Sequence, residues 1–113
     1  MLQTLTTPRG ETLSGTPWQV YPRPQMRRDS YINLNGEWDF AVSSGKPETF
    51  DMRITVPFCP ESRLSGIGRH FEEGAPLWYR RRFLLPEGFR RERVLLHIGA
   101  ADQIAEVFVN GQY

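Results

Sequence analysis

An all-β fold of the sandwich or jelly-roll type is predicted by three features of this sequence. Apolar and polar residues alternate with a period of two over several short runs, as in half-buried strands. Nine prolines and ten glycines punctuate 113 residues, which leaves little room for long helices. The last run, Val107-Phe108-Val109, leads into Asn110-Gly111, a pair suited to a tight hairpin because both residues tolerate positive φ.

Residues 1–17 are rich in Thr, Ser, Gly and Pro and read as an extended arm. Trp18-Gln19-Val20-Tyr21 alternates as a short strand would, and Tyr21-Pro22-Arg23-Pro24 forces extended geometry. Asn35-Gly36 makes a turn or bulge. Trp38, Phe40 and Val42 then share one face, with Glu37, Asp39 and Ala41 on the other. Ser43-Ser44-Gly45-Lys46-Pro47 is a loop, and Arg53-Ile54-Thr55-Val56 a short strand stopped by Pro57. Residues 57–76 lack periodicity and form a long loop, of a length usually reserved for function. Further strands are expected at 77–85, 94–98 and 104–109, the three forming a meander. The expected total is five or six strands, with no convincing helix.

Composition narrows the function. Hydrophobic residues make up 39%, but 12% of the chain is aromatic, enough to build a β core on large rings. The net charge of +1 offers no general attraction to nucleic acid or an anionic membrane. Thirteen of the fourteen basic residues are Arg. In a strand Arg80 and Arg82 face opposite to Arg81, so the triplet is not expected to form one patch. The single cysteine, Cys59, excludes an intrachain disulfide and reads as a small buried or semi-buried thiol. With His70 and His97 far apart in sequence, no metal-ligand spacing is present, and no cofactor is expected. The N-terminus carries no secretory signal, and no apolar run reaches the roughly 18–20 residues of a membrane span. A soluble, cytoplasmic protein without membrane or nucleic-acid partners is expected.

Three segments carry a family resemblance. The first is Leu34-Asn35-Gly36-Glu37-Trp38-Asp39-Phe40. The second is Val56-Pro57-Phe58-Cys59-Pro60-Glu61-Ser62, running on through Leu64-Ser65-Gly66-Ile67-Gly68. The third begins at Leu77-Trp78-Tyr79-Arg80-Arg81-Arg82-Phe83 with Pro86. It continues through Ile98-Gly99-Ala100-Ala101-Asp102 to Glu106-Val107-Phe108-Val109-Asn110-Gly111. In this order they resemble the N-terminal sugar-binding, jelly-roll domain of glycoside hydrolase family 2, the family of β-galactosidases, β-glucuronidases and β-mannosidases. The resemblance spans residues 18–113 and implies a galactose-binding-like β-sandwich, incomplete at its C-terminal end.

That family hydrolyses β-glycosides with retention, using two carboxylates roughly 5–5.5 Å apart. The resemblance places both glutamates on a (β/α)₈ barrel that follows this domain and an immunoglobulin-like domain. Such a barrel needs about 250 residues. No catalytic residue is therefore expected here, and Glu61, Glu72, Glu73 and Glu106 are not assigned that role. The adjacent Glu72 and Glu73 read as a solvated pair. Because only Gln112 and Tyr113 follow the Asn110-Gly111 turn, the chain reads as a segment of a longer protein.

Partners implied by the resemblance are a β-linked saccharide, through the parent enzyme, and the downstream domains; a homo-oligomer is compatible with it. Glu61, Ser62, Arg63 and Ser65 in the long loop are the candidate contacts, either to sugar hydroxyls or to a neighbouring domain. Two other functions stay open: a free-standing carbohydrate-binding module, and an interaction domain that associates through an open edge strand.

Overall fold

The computed structural model describes residues 7–20, 23, 25 and 28–113. The chain divides into two compact units, Met1–Phe83 and Leu84–Tyr113. The first unit holds a three-stranded antiparallel sheet of β1 (Gly36–Val42), β2 (Met52–Val56) and β3 (Leu77–Arg80), in the order β2-β1-β3. The fold is thus β-rich, with very little helix among the described residues.

β1 forms where the alternation predicts it and occupies the centre. Trp38 sits opposite Ile54, and Phe40 lies between Met52 on one side and Tyr79 on the other. Opposed residues share a face, so Trp38, Phe40, Val42, Met52, Ile54, Leu77 and Tyr79 make one apolar side. Phe40 and Ile54 are fully buried on it. The Phe40 ring meets Tyr79 edge-on at 5.1 Å and Phe71 at 5.7 Å, favourable aromatic geometries.

On the reverse face Ala41 is buried opposite Trp78, whose indole N–H donates to the Ser43 carbonyl at 2.9 Å. Further along that face the charged residues interleave. Arg53 pairs with Glu37, and Asp39 accepts from Arg80 Nε at 3.1 Å and from its Nη2 at 2.9 Å. Exposed ion pairs of this kind contribute about 0–1 kcal/mol each, so buried Phe40 and Ile54, not the charges, hold the sheet.

Four sequence expectations change. Residues 7–17 are not simply extended, because Pro8–Thr12 forms a one-turn helix, α1. Thr7 caps it, its hydroxyl oxygen accepting from the Gly10 N–H at 3.0 Å, with proline at the first position. Residues 1–6 of the expected arm lie outside the described residues. No strand forms at 18–20, where Trp18 turns into the left-handed region at φ 49° and breaks the extended run. Tyr21, Pro22 and Pro24 also fall outside the described residues.

The strand expected at 77–85 stops at Arg80, because Arg81 leaves the ladder. Its Nη1 donates to the Leu34 and Asn35 carbonyls at 2.9 and 3.1 Å. Gly36 permits that approach. It sits at φ +125°, and a Cβ there would stand 3.2 Å from Arg81 Nη1.

Within Leu84–Tyr113, no strand ladder forms at 94–98 or 104–109, so the expected meander is absent. Alternation specifies which way side chains point, but a strand also needs a partner for its N–H and C=O groups. Among the described residues that partner is lacking, and Leu95, Ile98 and Ile104 stay exposed. The Asn110-Gly111 turn does form as predicted. Both residues have positive φ, and Val109 and Gln112 exchange both backbone hydrogen bonds, at 2.9 and 3.0 Å.

Candidate functional site

Pro57 ends β2, and the loop at 57–76 then builds itself largely from its own backbone and two serines. Ser62 closes a turn onto Cys59, with both its N–H and its hydroxyl donating to the Cys59 carbonyl at 3.0 and 2.8 Å. It also caps the 3-10 turn Arg63–Ser65, its hydroxyl oxygen accepting from the Ser65 N–H at 3.2 Å. Gly66 ends that turn in the left-handed region, its N–H donating to the Arg63 carbonyl.

Ser65 lies at the centre of the loop and is 1% exposed. Its hydroxyl donates to the Ser62 carbonyl at 2.8 Å, with the Pro60 carbonyl also within 3.2 Å, and accepts from the Ile67 N–H at 3.0 Å. The Arg69 N–H donates to the Pro60 carbonyl at 3.2 Å and draws the two ends together.

The four candidate residues therefore divide into two pairs. The hydroxyls of Ser62 and Ser65 are turned onto the loop's own main chain. Glu61 and Arg63 point their polar ends to solvent. Glu61 Oε1 lies 3.7 Å from Nδ1 of the exposed His70, an ion pair whenever the imidazole is protonated. The Arg63 guanidinium makes no hydrogen bond or ion pair with any described residue.

Two aromatic residues stand at the entrance to this loop. The Trp18 ring packs on Phe58 with centroids 5.9 Å apart and planes inclined at 43°. Trp18 is nevertheless 65% exposed, so much of its ring is open to solvent. The Asn33 side-chain amide donates to the Trp18 carbonyl at 2.7 Å and holds the backbone in its left-handed turn. A bulky residue with positive φ is an outlier that surrounding contacts must maintain. The sequence marked Trp18 as aromatic but carried no sign of its exposure or of Phe58 beside it.

Cys59 is exposed, not the buried or semi-buried thiol expected, because the Cys59–Ser62 turn places it on the outside of the chain. Tyr79 reaches toward the same region from β3. Burial pushes its phenol above its ordinary pKa, and the charges of Glu61 and Cys59 add to the rise. A raised phenol pKa contributes stability that is complete below about pH 10, the unfolded value, and is lost as pH climbs through the folded value. The urea midpoint of the native chain should therefore fall more steeply between pH 9 and 11 than that of Tyr79→Phe. Parallel curves would remove this role for Tyr79.

Among the described residues no group of three His, Cys, Asp or Glu stands close enough to hold a metal ion. None of their helices is long and apolar enough to cross a membrane. No protein-family model matches the chain, and no curated protein matches it.

Proposed function

We propose that this chain is the non-catalytic sugar-binding β domain of a family 2 glycoside hydrolase, a jelly roll in its complete form. In this reading the whole protein is a cytoplasmic enzyme that hydrolyses β-glycosides of the galactoside or glucuronide type. Both catalytic glutamates then lie outside these residues, and this chain alone turns over no substrate. The reading rests on the three sequence segments described above. The observation that best supports it is the exposed Trp18 ring on Phe58, beside a loop whose Glu61, Arg63 and His70 present polar groups to solvent. An open aromatic face stacks on the apolar face of a pyranose, while carboxylate, guanidinium and imidazole groups bind its hydroxyls.

Titration of the full chain with methyl β-galactoside and methyl β-glucuronide, followed by tryptophan fluorescence, tests this directly. A saturable change is expected, with Trp18→Ala losing at least about tenfold in affinity, the scale of one lost hot-spot contact. No response to either sugar, or an unchanged response in Trp18→Ala, rejects the site. The exposed apolar runs within Leu84–Tyr113 favour a second reading, an association domain. Concentration-dependent self-association without a sugar response would select it.

A further inference from the structure

The charged face of the sheet carries a second feature, lined by none of the loop residues at 57–76. Glu37, Asp39, Arg53, Arg80, Arg81 and Arg82 line one hollow of about 310 Å³. Four guanidinium groups thus face two carboxylates, an excess of two positive charges at one place on a chain whose net charge is only +1. The sequence concealed this, since strict strand alternation would have sent Arg81 to the opposite side. The ladder stops at Arg80, and all three consecutive arginines reach the same hollow.

Three of the four cations are fixed in place. Arg53 pairs with Glu37, and Arg80 is held by Asp39 and lies 4.1 Å over the Phe50 ring. Arg81 is tethered through Nη1 to two main-chain carbonyls, which leaves its Nε and Nη2 N–H groups without a partner among the described residues. Arg82 makes no hydrogen bond or ion pair with any described residue. Both carboxylates are already engaged by Arg53 and Arg80, so the unused donors belong to Arg81 and Arg82.

We propose that this hollow is a binding site for a small oxyanion, a carboxylate or phosphate group, held by Arg82 and the free edge of Arg81. Guanidinium groups present paired N–H donors that match such oxygens, and Arg81, already tethered to the Leu34 and Asn35 carbonyls, loses little freedom on binding. The volume lies at the lower end of ligand pockets, which suits a small group. Glu37 and Asp39 interrupt the basic surface. They would repel a polyanion laid across the face, but they leave room for one anion seated between the arginines.

The test is titration of the full chain with sodium phosphate and, separately, sodium acetate at fixed ionic strength, reading the arginine Nε–Hε signals by NMR. Saturable shifts at Arg81 and Arg82 are expected. Acetate and phosphate both binding identifies a general oxyanion site, and one alone identifies its preferred geometry; either supports the proposal. Arg82→Gln should weaken binding about tenfold, as loss of a charge-assisted hydrogen bond does. Arg82→Lys should keep part of it, and Arg90→Gln, outside the hollow, should change nothing. Arg82 is exposed and unpartnered among the described residues, so its replacement leaves the fold intact. Shifts that sodium chloride reproduces equally, or an Arg82→Gln affinity matching the native chain, would overturn the proposal.

Discussion

Phe40→Ala is expected to unfold most of the chain at room temperature. Truncating a buried phenylalanine costs about 3–5 kcal/mol, from lost transfer energy and the cavity left behind. Phe40 is 0% exposed at the middle of the central strand and touches the rings of both Tyr79 and Phe71. Among the described residues the other buried hydrophobics are Ala41 and Ile54, so few neighbours can collapse into the space. Domains of ordinary stability hold only about 5–15 kcal/mol in total, and a core this small places the chain toward the lower end. Urea denaturation followed by tryptophan fluorescence measures the effect. Phe40→Ala should show no cooperative transition, or one at a much lower midpoint, while Phe40→Leu should retain a transition at an intermediate position. A midpoint for Phe40→Ala equal to that of the native chain would mean that the core lies elsewhere.

The same residues explain which parts of the fold could be read in advance. Trp38, Phe40 and Val42 alternate with Glu37, Asp39 and Ala41, and that pattern has one good solution, a half-buried strand with an apolar and a charged face; its central place in the sheet comes from the pairing. Pro57 fixed the end of β2, and Asn110-Gly111 fixed its turn, because in both cases local backbone chemistry decides. What failed was long-range pairing. The runs at 94–98 and 104–109 are rich in strand-forming residues, yet no ladder forms there among the described residues. The helix at Pro8–Thr12 departs from the extended arm that composition predicts, and its local signal is a capping threonine followed by proline at the first helical position.

The candidate loop was legible in part. Its length and lack of periodicity marked it, and Glu61 and Arg63 do face solvent. The inward turn of Ser62 and Ser65 was not legible, because a serine that binds a ligand and one that binds its own backbone look alike in sequence. Trp18 and the arginine hollow depend on a left-handed residue and on the early end of β3, and neither leaves a periodic trace.

Ser65→Ala is expected to loosen the whole loop. The Ser65 hydroxyl is buried, donates to the Ser62 carbonyl and accepts from the Ile67 N–H. Alanine removes both bonds while the main-chain groups remain, and water has little access to replace them. Leaving a buried donor or acceptor unsatisfied costs about 1–3 kcal/mol, more than the net worth of the bond itself. Ser62→Ala should cost less, since the Ser62 hydroxyl is only partly buried and the Ser62 N–H keeps its bond to Cys59. Hydrogen exchange at the Ile67 and Arg69 amides reports the difference. Both should exchange faster in Ser65→Ala, by roughly tenfold for each 1.4 kcal/mol lost locally, while amides within β1 change less. Unaltered exchange at Ile67 would show that the hydroxyl does not hold the loop. If the loop also binds a saccharide, the variant must order it upon binding, and sugar affinity should fall together with the protection. Weakened protection with unchanged affinity would separate the loop's stability from any role in recognition and leave Trp18 and Phe58 as the principal contact.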